Sequence, residues 1–196
     1  MPGNLKNVVI RLLAFVPRSL HSWLQHQRMR FKAYIRFGLI LPSGAVIAHA
    51  DNVTIGSRFG ISPNCYILCQ DPEKGSSLHI GNNVLLNLSV MINADCGGAI
   101  RIGDNVLVGP NVVIRAADHR FSDIDRLIVE QGHVAGTIDI GDDVWIGANA
   151  VILANVRIGK GTVIGAGSVV VGDLPEYSVA VGAPARVIRS RVQNAQ

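Results

Sequence analysis

Between Ile114 and Ile138 the chain reads Arg115-Ala116-Ala117-Asp118-His119-Arg120-Phe121-Ser122-Asp123, with further acids at Asp125 and Glu130. An imidazole titrates near neutral pH, so a positioned histidine can take the proton of a hydroxyl as that hydroxyl becomes a nucleophile. His119 is therefore the candidate general base. Asp118, Asp123, Asp125 and Glu130 are candidates to orient its ring, and the spacing does not choose among them. No Ser/His/Asp elbow is present, so nothing points to a covalent enzyme intermediate. Cys65, Cys69 and Cys96 are odd in number and form no Cys-x-x-Cys pair. They read as buried, reduced thiols, not as a zinc site or a disulfide framework.

A working base must be held by something rigid. The 196-residue chain is 48% apolar and 5% aromatic, with 24 Val, 21 Ile and 21 Gly. Such a composition points to many short strands with tight corners and away from a helical bundle. Ile140-Gly141, Ile146-Gly147, Ile152-Leu153, Ile158-Gly159, Ile164-Gly165 and Val170-Val171 recur at six-residue intervals. The same register runs through Ile102-Gly103, Val108-Gly109 and Ile114, through Ile80-Gly81, Leu86-Asn87 and Ile92-Asn93, and through Ile55-Gly56, Ile61-Ser62 and Ile67. Val144, Ala150, Val156, Thr162 and Ser168 each follow an aliphatic by four positions. A period of six fits neither an α-helix nor a hairpin strand. It predicts an all-β solenoid, a β-helix whose aliphatics stack inward and whose small residues sit where a Cβ would crowd. The polar stretch at about 115–137 is then a loop inserted at one corner, with His119 close to the body. Loops that interrupt a rigid scaffold are where sites are usually built.

The net charge of +4 is unevenly spread. Residues 1–38 hold seven Lys/Arg and no acid, residues 184–196 hold three Arg and no acid, and the middle holds all 14 acids against eight bases. This is not the footprint of a nucleic-acid binder, whose basic residues line a folded face. Three parts follow: an amphipathic helical extension or cap over 1–40, the repeat over 41–183, and a basic tail over 184–196. Leu5, Val8, Val9, Leu12, Leu13 and Val16 predict one helix, ended by Pro17. Leu20, Trp23, Leu24, Gln27, Phe31, Tyr34 and Ile35 predict a second, interleaved with Arg28, Arg30, Lys32 and Arg36. These helices either shield the open strand edge of the coil or make peripheral contact, through residues 1–38, with an anionic membrane. Arg11 breaks the apolar stretch Val8–Val16, no small-residue cleavage site follows, and no run of ~18 apolar residues exists. The expected location is the cytoplasm, extended to the inner face of the membrane if the helices dock there.

The run from Asp118-His119-Arg120-Phe121-Ser122-Asp123 through Gln131-Gly132 to Ile138-Asp139-Ile140-Gly141-Asp142-Asp143-Val144-Trp145-Ile146-Gly147-Ala148-Asn149-Ala150, and the ending Val179-Ala180-Val181-Gly182-Ala183-Pro184-Ala185-Arg186-Val187-Ile188-Arg189, resemble the hexapeptide-repeat acyltransferases. The likeness is greatest to sugar O-acetyltransferases of the maltose and galactoside type and of polysaccharide pathways, and it covers about residues 46–189. It implies a left-handed parallel β-helix of about six coils, three hexapeptides to a turn, assembled as a homotrimer with sites between subunits. It also implies acetyl-CoA as acyl donor, a saccharide hydroxyl as acceptor, His119 as the base and direct transfer.

Further roles follow from the same resemblance. Asn87 and Asp95 match residues that contact the acceptor sugar, although Cys96-Gly97-Gly98 lengthens the turn by two; an Asn ladder and a turn Asp are the plainer readings. Trp145 either lines the acceptor or acetyl pocket or packs against the loop. The corner Gly147-Ala148 would supply a backbone N–H to the oxyanion. Gly109, Ala148 and Ala166 match positions along the pantetheine arm, and Arg186 and Arg189 match residues that reach the CoA phosphates. Val171-Gly172-Asp173 stands where many relatives read Thr-Lys-Asp, which removes one phosphate partner. A zinc carbonic anhydrase branch of the same fold needs two histidines five apart, and the fifth position after His119 is Ile124, so no metal is expected. N-acetyltransferases of amino sugars often carry an upstream α/β domain, for which the ~45 preceding residues leave no room. Serine acetylation and a non-catalytic scaffold complete the alternatives.

Overall fold

The computed structural model describes residues 18–192; the helix expected over 5–16 lies outside them. Helix α1, Arg18–Phe37, ends where Gly38 adopts φ +68° and returns its N–H to the Tyr34 carbonyl at 2.8 Å, the usual use of glycine at a helix C-terminus.

The rest of the described chain is a left-handed parallel β-helix of about six turns. A first face stacks Val46–Ala48, Tyr66–Leu68, Met91–Asn93, Val113–Arg115, Val151–Ile152 and Val169–Val170. A second stacks Val53–Ile55, Ser77–Ile80, Ala99–Ile102, Thr137–Ile140 and Val156–Ile158. A third stacks Gly60–Ile61, Leu85–Leu86, Leu107–Val108, Trp145–Ile146, Val163–Ile164 and Ser178–Val181, with Arg186–Ser190 added antiparallel at its end.

The six-residue aliphatics point inward and pair in register. Ile67, Ile92, Ile114 and Ile152 stack on the first face, Ile80, Ile102, Ile140 and Ile158 on the second, and Leu86, Val108, Ile146 and Ile164 on the third. All are buried. Each contributes on the order of 1.5–3 kcal/mol of burial against the entropy of ordering its strand.

The glycine beside an aliphatic serves coil-to-coil approach. A Cβ on Gly81 would stand 2.6 Å from the Gly103 carbonyl oxygen, and one on Gly147 would stand 2.6 Å from the Ala166 nitrogen. Left-handed backbone falls two residues later instead, on Asn83, Asn105, Asn111 and Asn149, with φ of 55–60°, a conformation Asn tolerates better than most residues. These side chains form ladders, Asn83 to Asn105 at 2.8 Å and Asn111 to Asn149 at 3.1 Å. At the edge between the second and third faces, Asp104 Oδ1 accepts the Asn82 N–H at 2.6 Å, and Asp142 Oδ1 accepts that of Asp104 at 2.8 Å. Hydrogen bonds from the Asn82 backbone, then its side chain, hold the Asp104 carboxyl below its ordinary range.

The three outer surfaces differ. The second carries Thr54, His79, Arg101, Asp139 and Arg157 in one column, with Arg101 and Arg157 3.2 and 3.7 Å from Asp139. The first carries Val46, Tyr66, Met91, Val113, Val151 and Val169, and the third carries Leu85, Leu107, Trp145 and Val163. Two outer faces are thus mainly apolar, apart from Asn93 and Arg115 on the first, and one is charged.

Helix α1 packs on the first coil through buried Ala33. Arg30 donates to the Leu41 and Pro42 carbonyls at 2.6 and 3.2 Å, and Lys32 lies 3.3 Å from Asp51. Among the described residues no helix is long and apolar enough to cross a membrane. Cys65 and Cys69 are buried, but Cys96, in the lengthened turn, is partly exposed, unlike the expected buried thiol.

Candidate active site

The insertion is built on a β-hairpin. Ala117–His119 pairs antiparallel with His133–Ala135, and a 3₁₀ turn at Ile128–Glu130 lies between them. Its base is tied to the coil by buried Ala116 and Ala117, by Ala116 N–H to the Asn93 carbonyl at 3.0 Å, and by Gly136 N–H to the Ala116 carbonyl at 2.8 Å. Gln131 closes the tip, accepting the Asp123 N–H at 3.1 Å and donating to the Asp123 and Arg126 carbonyls at 2.8 and 3.0 Å. A long polar loop is thereby given a defined shape.

His119 is exposed at the base of this hairpin. None of Asp118, Asp123, Asp125 and Glu130 hydrogen-bonds its ring; Asp123 Oδ1 instead accepts the Asp125 N–H at 3.1 Å. The contact of the imidazole is His133, directly opposite on the neighbouring strand, with ring centroids 4.2 Å apart and planes tilted by 38°. The spacing of His133 in the sequence gives it no site role, because its proximity to His119 depends on strand pairing. The one local signal is the Ala-x-His and His-x-Ala pattern on either side of the turn.

The hairpin leaves the edge between the first and second faces. One coil earlier, the same edge carries Asp95, whose carboxylate accepts the Gln70 backbone N–H at 2.6 Å and its side-chain amide at 3.4 Å. Asp95 N–H donates to Asn93 Oδ1 at 2.9 Å. Burial, and then the Asp95 charge, push the Cys69 thiol up to about 11.

The other expected residues gather on the third face and its edge with the first. Asn87, Gly109 and Trp145, with Leu85 and Leu107, line an open groove of about 520 Å³. Asn87 Oδ1 accepts the Leu88 N–H at 2.8 Å, while its amide nitrogen has no partner among the described residues. Gly109 stacks under Gly147-Ala148, and Gly147 under Gly165-Ala166. The Gly109 and Gly147 N–H groups are taken by the Ile146 and Ile164 carbonyls, each at 2.8 Å. The N–H groups of Ala148 and Ala166 have no acceptor among the described residues. Within the Gly147-Ala148 corner, the N–H without an acceptor among the described residues is that of Ala148. Beyond the last coil of this face, Arg186 and Arg189 are exposed, and neither pairs with a carboxylate among the described residues. Arg191, by contrast, lies 3.4 Å from Asp143 and also bonds the Gly161 carbonyl.

One chain therefore holds two separate groups. His119, His133 and Asp95 occupy one edge. Asn87, Trp145, Gly109, Gly147, Ala148 and Ala166 occupy the next, with Arg186 and Arg189 at its end. A full face lies between them, up to about 20 Å for six extended residues. Among the described residues no three of His, Cys, Asp and Glu gather in a metal-binding cluster.

Residues 137–172 match the bacterial transferase hexapeptide family, described as six repeats. A maltose O-acetyltransferase from Clostridium difficile is 32% identical, with a TM-score of 0.52 over 75% of this chain and 69% of that one. The chain belongs to the hexapeptide-repeat transferases. Another hexapeptide-repeat protein, an acetyltransferase of Vibrio cholerae solved with acetyl coenzyme A, is 27% identical with a TM-score of 0.62, over 89% of this chain and 90% of that one. An N-acyltransferase from Bacillus cereus shares the fold at 23% identity, with a TM-score of 0.69 over 82% of this chain and 88% of that one. An N-acyltransferase thus shares this fold over most of its length, so the coil by itself does not separate amine from hydroxyl acceptors, contrary to the expectation from the sequence. The chain spans a quarter or less of the length of the curated acetyltransferases it first matches.

Proposed function

We propose that this chain is an acetyl-CoA-dependent O-acetyltransferase acting on a saccharide hydroxyl, working as a homotrimer in which neighbouring copies unite the two groups of site residues. The observation that carries this reading is the separation of His119 from Asn87, Trp145 and Ala148 by one face of the coil, combined with apolar outer surfaces on the two faces that flank the Asn87 edge. Apolar columns of this kind are stabilised by burial against another copy, and the charged second face would remain in solvent. Similarity to the maltose O-acetyltransferase supports the saccharide, and the acetyl-CoA complex of the Vibrio protein supports the donor.

The residues present suit that donor. Ala148 and Ala166 offer N–H groups without an acceptor among the described residues, and Arg186 and Arg189 offer guanidiniums without a carboxylate partner there, suited to phosphates. In the reaction, His119 removes the acceptor hydroxyl proton as that oxygen bonds to the thioester carbonyl carbon. The Ala148 N–H stabilises the oxyanion. When the carbon–sulfur bond breaks, His119 returns the proton to the departing sulfur, leaving an ester and a free thiol. The Asn87 amide and the Asp95 carboxylate hold the acceptor sugar, and Trp145 lines the pocket.

Thiol release from acetyl-CoA, measured over a panel of mono- and oligosaccharides and amino sugars, tests this. Release that depends on a hydroxyl acceptor and falls roughly 10²–10⁴-fold in His119→Ala is expected. Release with amines alone would replace the O-acetyl reading with N-acetyl transfer. No acceptor-dependent release would favour a scaffold, and equal rates for both proteins would remove His119 from the mechanism.

A further inference from the structure

Helix α1 turns Ala33 toward the coil and sends Arg30 and Arg36 back to carbonyls of the first coil. Its opposite side is apolar and uncovered among the described residues. Leu20, Trp23, Leu24, Phe31, Tyr34 and Ile35 are 44–67% exposed. At 3.6 residues per turn they occupy one sector of roughly 120°. Exposed Arg28 borders this sector, whereas Lys32 and Arg36 pair with Asp51 of the coil, and Ile40, just past the helix, is 82% exposed.

The charge around this patch selects its occupant. Seven Lys/Arg and no acid fall within residues 1–38. A protein groove would have to supply acids to match. Residues 1–17 add Lys6 and Arg11 and no acid to this stretch. An anionic bilayer meets both demands. Its headgroups neutralise the bases, and its acyl boundary takes leucine and phenylalanine while tryptophan and tyrosine settle at the interface.

We propose that the outward side of α1 is a docking surface for an anionic lipid bilayer, lying in the interface plane. This does not depend on acetyl transfer. The helix also sits at the edge from which the His119 hairpin leaves, as its contacts to Asp51 show, three coils away at roughly 4.8 Å per coil.

Flotation of the full chain with vesicles of mixed phosphatidylcholine and phosphatidylglycerol, against phosphatidylcholine alone, tests the proposal. The wild type is expected to float with the anionic vesicles only and to be released by salt. Trp23→Glu combined with Phe31→Glu should abolish flotation with an unchanged circular dichroism spectrum, and Arg28→Gln should weaken partitioning roughly fivefold. The Trp23 signal, taken as wild type minus Trp23→Phe, should be open to iodide quenching without lipid and shielded with it. Absence of flotation, or flotation untouched by the double substitution, would overturn the proposal. Trp23 already shielded in lipid-free protein would assign the surface to residues 1–17, and a change of oligomeric state in the double variant would assign it to a second copy. Should the double variant misfold, Arg28→Gln and the salt titration still decide.

Discussion

His119 and His133 face each other across the antiparallel strands of the inserted hairpin, ring against ring at 4.2 Å. No carboxylate hydrogen-bonds either imidazole among the described residues, and none of the candidate acids orients the His119 ring, against which His133 packs. Loss of that support would misplace the base without touching substrate. His133→Ala is expected to lower kcat by up to roughly 100-fold with little change in KM. His133→Phe, which keeps a ring in place, should restore most of the rate. Steady-state kinetics on both variants check this, and equal losses would show that the His133 nitrogens matter, not its ring.

Division of the site between two edges predicts complementation. A homotrimer of His119→Ala chains and one of Trp145→Ala chains should each be nearly inactive. Unfolding and refolding them as a mixture should restore a measurable fraction of wild-type rate, because some interfaces then join an intact His119 to an intact Trp145. Activity of refolded mixtures against refolded single variants reads the outcome. No recovery in trimers shown to be mixed would mean that each chain carries a whole site.

Close coil stacking predicts a matched pair of glycine effects. Gly81→Ala places a Cβ 2.6 Å from a backbone oxygen, which cannot move without shifting the next coil, and a cost of about 1–3 kcal/mol is expected. Gly172 has no atom within 4 Å of its would-be Cβ, and Gly172→Ala should stay within about 0.5 kcal/mol of wild type. Thermal unfolding of the two proteins separates them, by roughly 2–4 °C per kcal/mol at this chain length.

The thiols should divide by burial. Cys69 is pushed up from 9.0 to about 11, and Cys65 is also raised, in both cases chiefly by burial. Iodoacetamide at pH 8 on the folded protein should therefore alkylate Cys96 alone, as read by peptide mass spectrometry. The folded state binds more protons than the unfolded chain once the unfolded thiols ionise. Their stabilising contribution is complete below about pH 9 and is lost as pH rises toward 11. Denaturant midpoints taken across that range should fall, and fall less in Cys69→Ala.

The sequence by itself determined the coil. A six-residue recurrence of Ile, Val and Leu names the inward column, because every coil repeats the same local choice and buries it against its neighbours. It also located the insertion that carries His119, since a polar stretch can enter such a solenoid only by leaving it. Other features depend on which residues become neighbours after winding. Pairing His119 with His133 requires an antiparallel register across thirteen intervening residues. The unused N–H groups at Ala148 and Ala166, beside those taken up at Gly109 and Gly147, are set by the ladder between coils. Likewise, Tyr66, Met91 and Val113 become one apolar surface only when their strands stack, while Arg101, Asp139 and Arg157 become a charged one. A local period can encode inside and outside. Only the tertiary structure decides which edge carries which chemistry, because that depends on contacts between residues one or more coils apart.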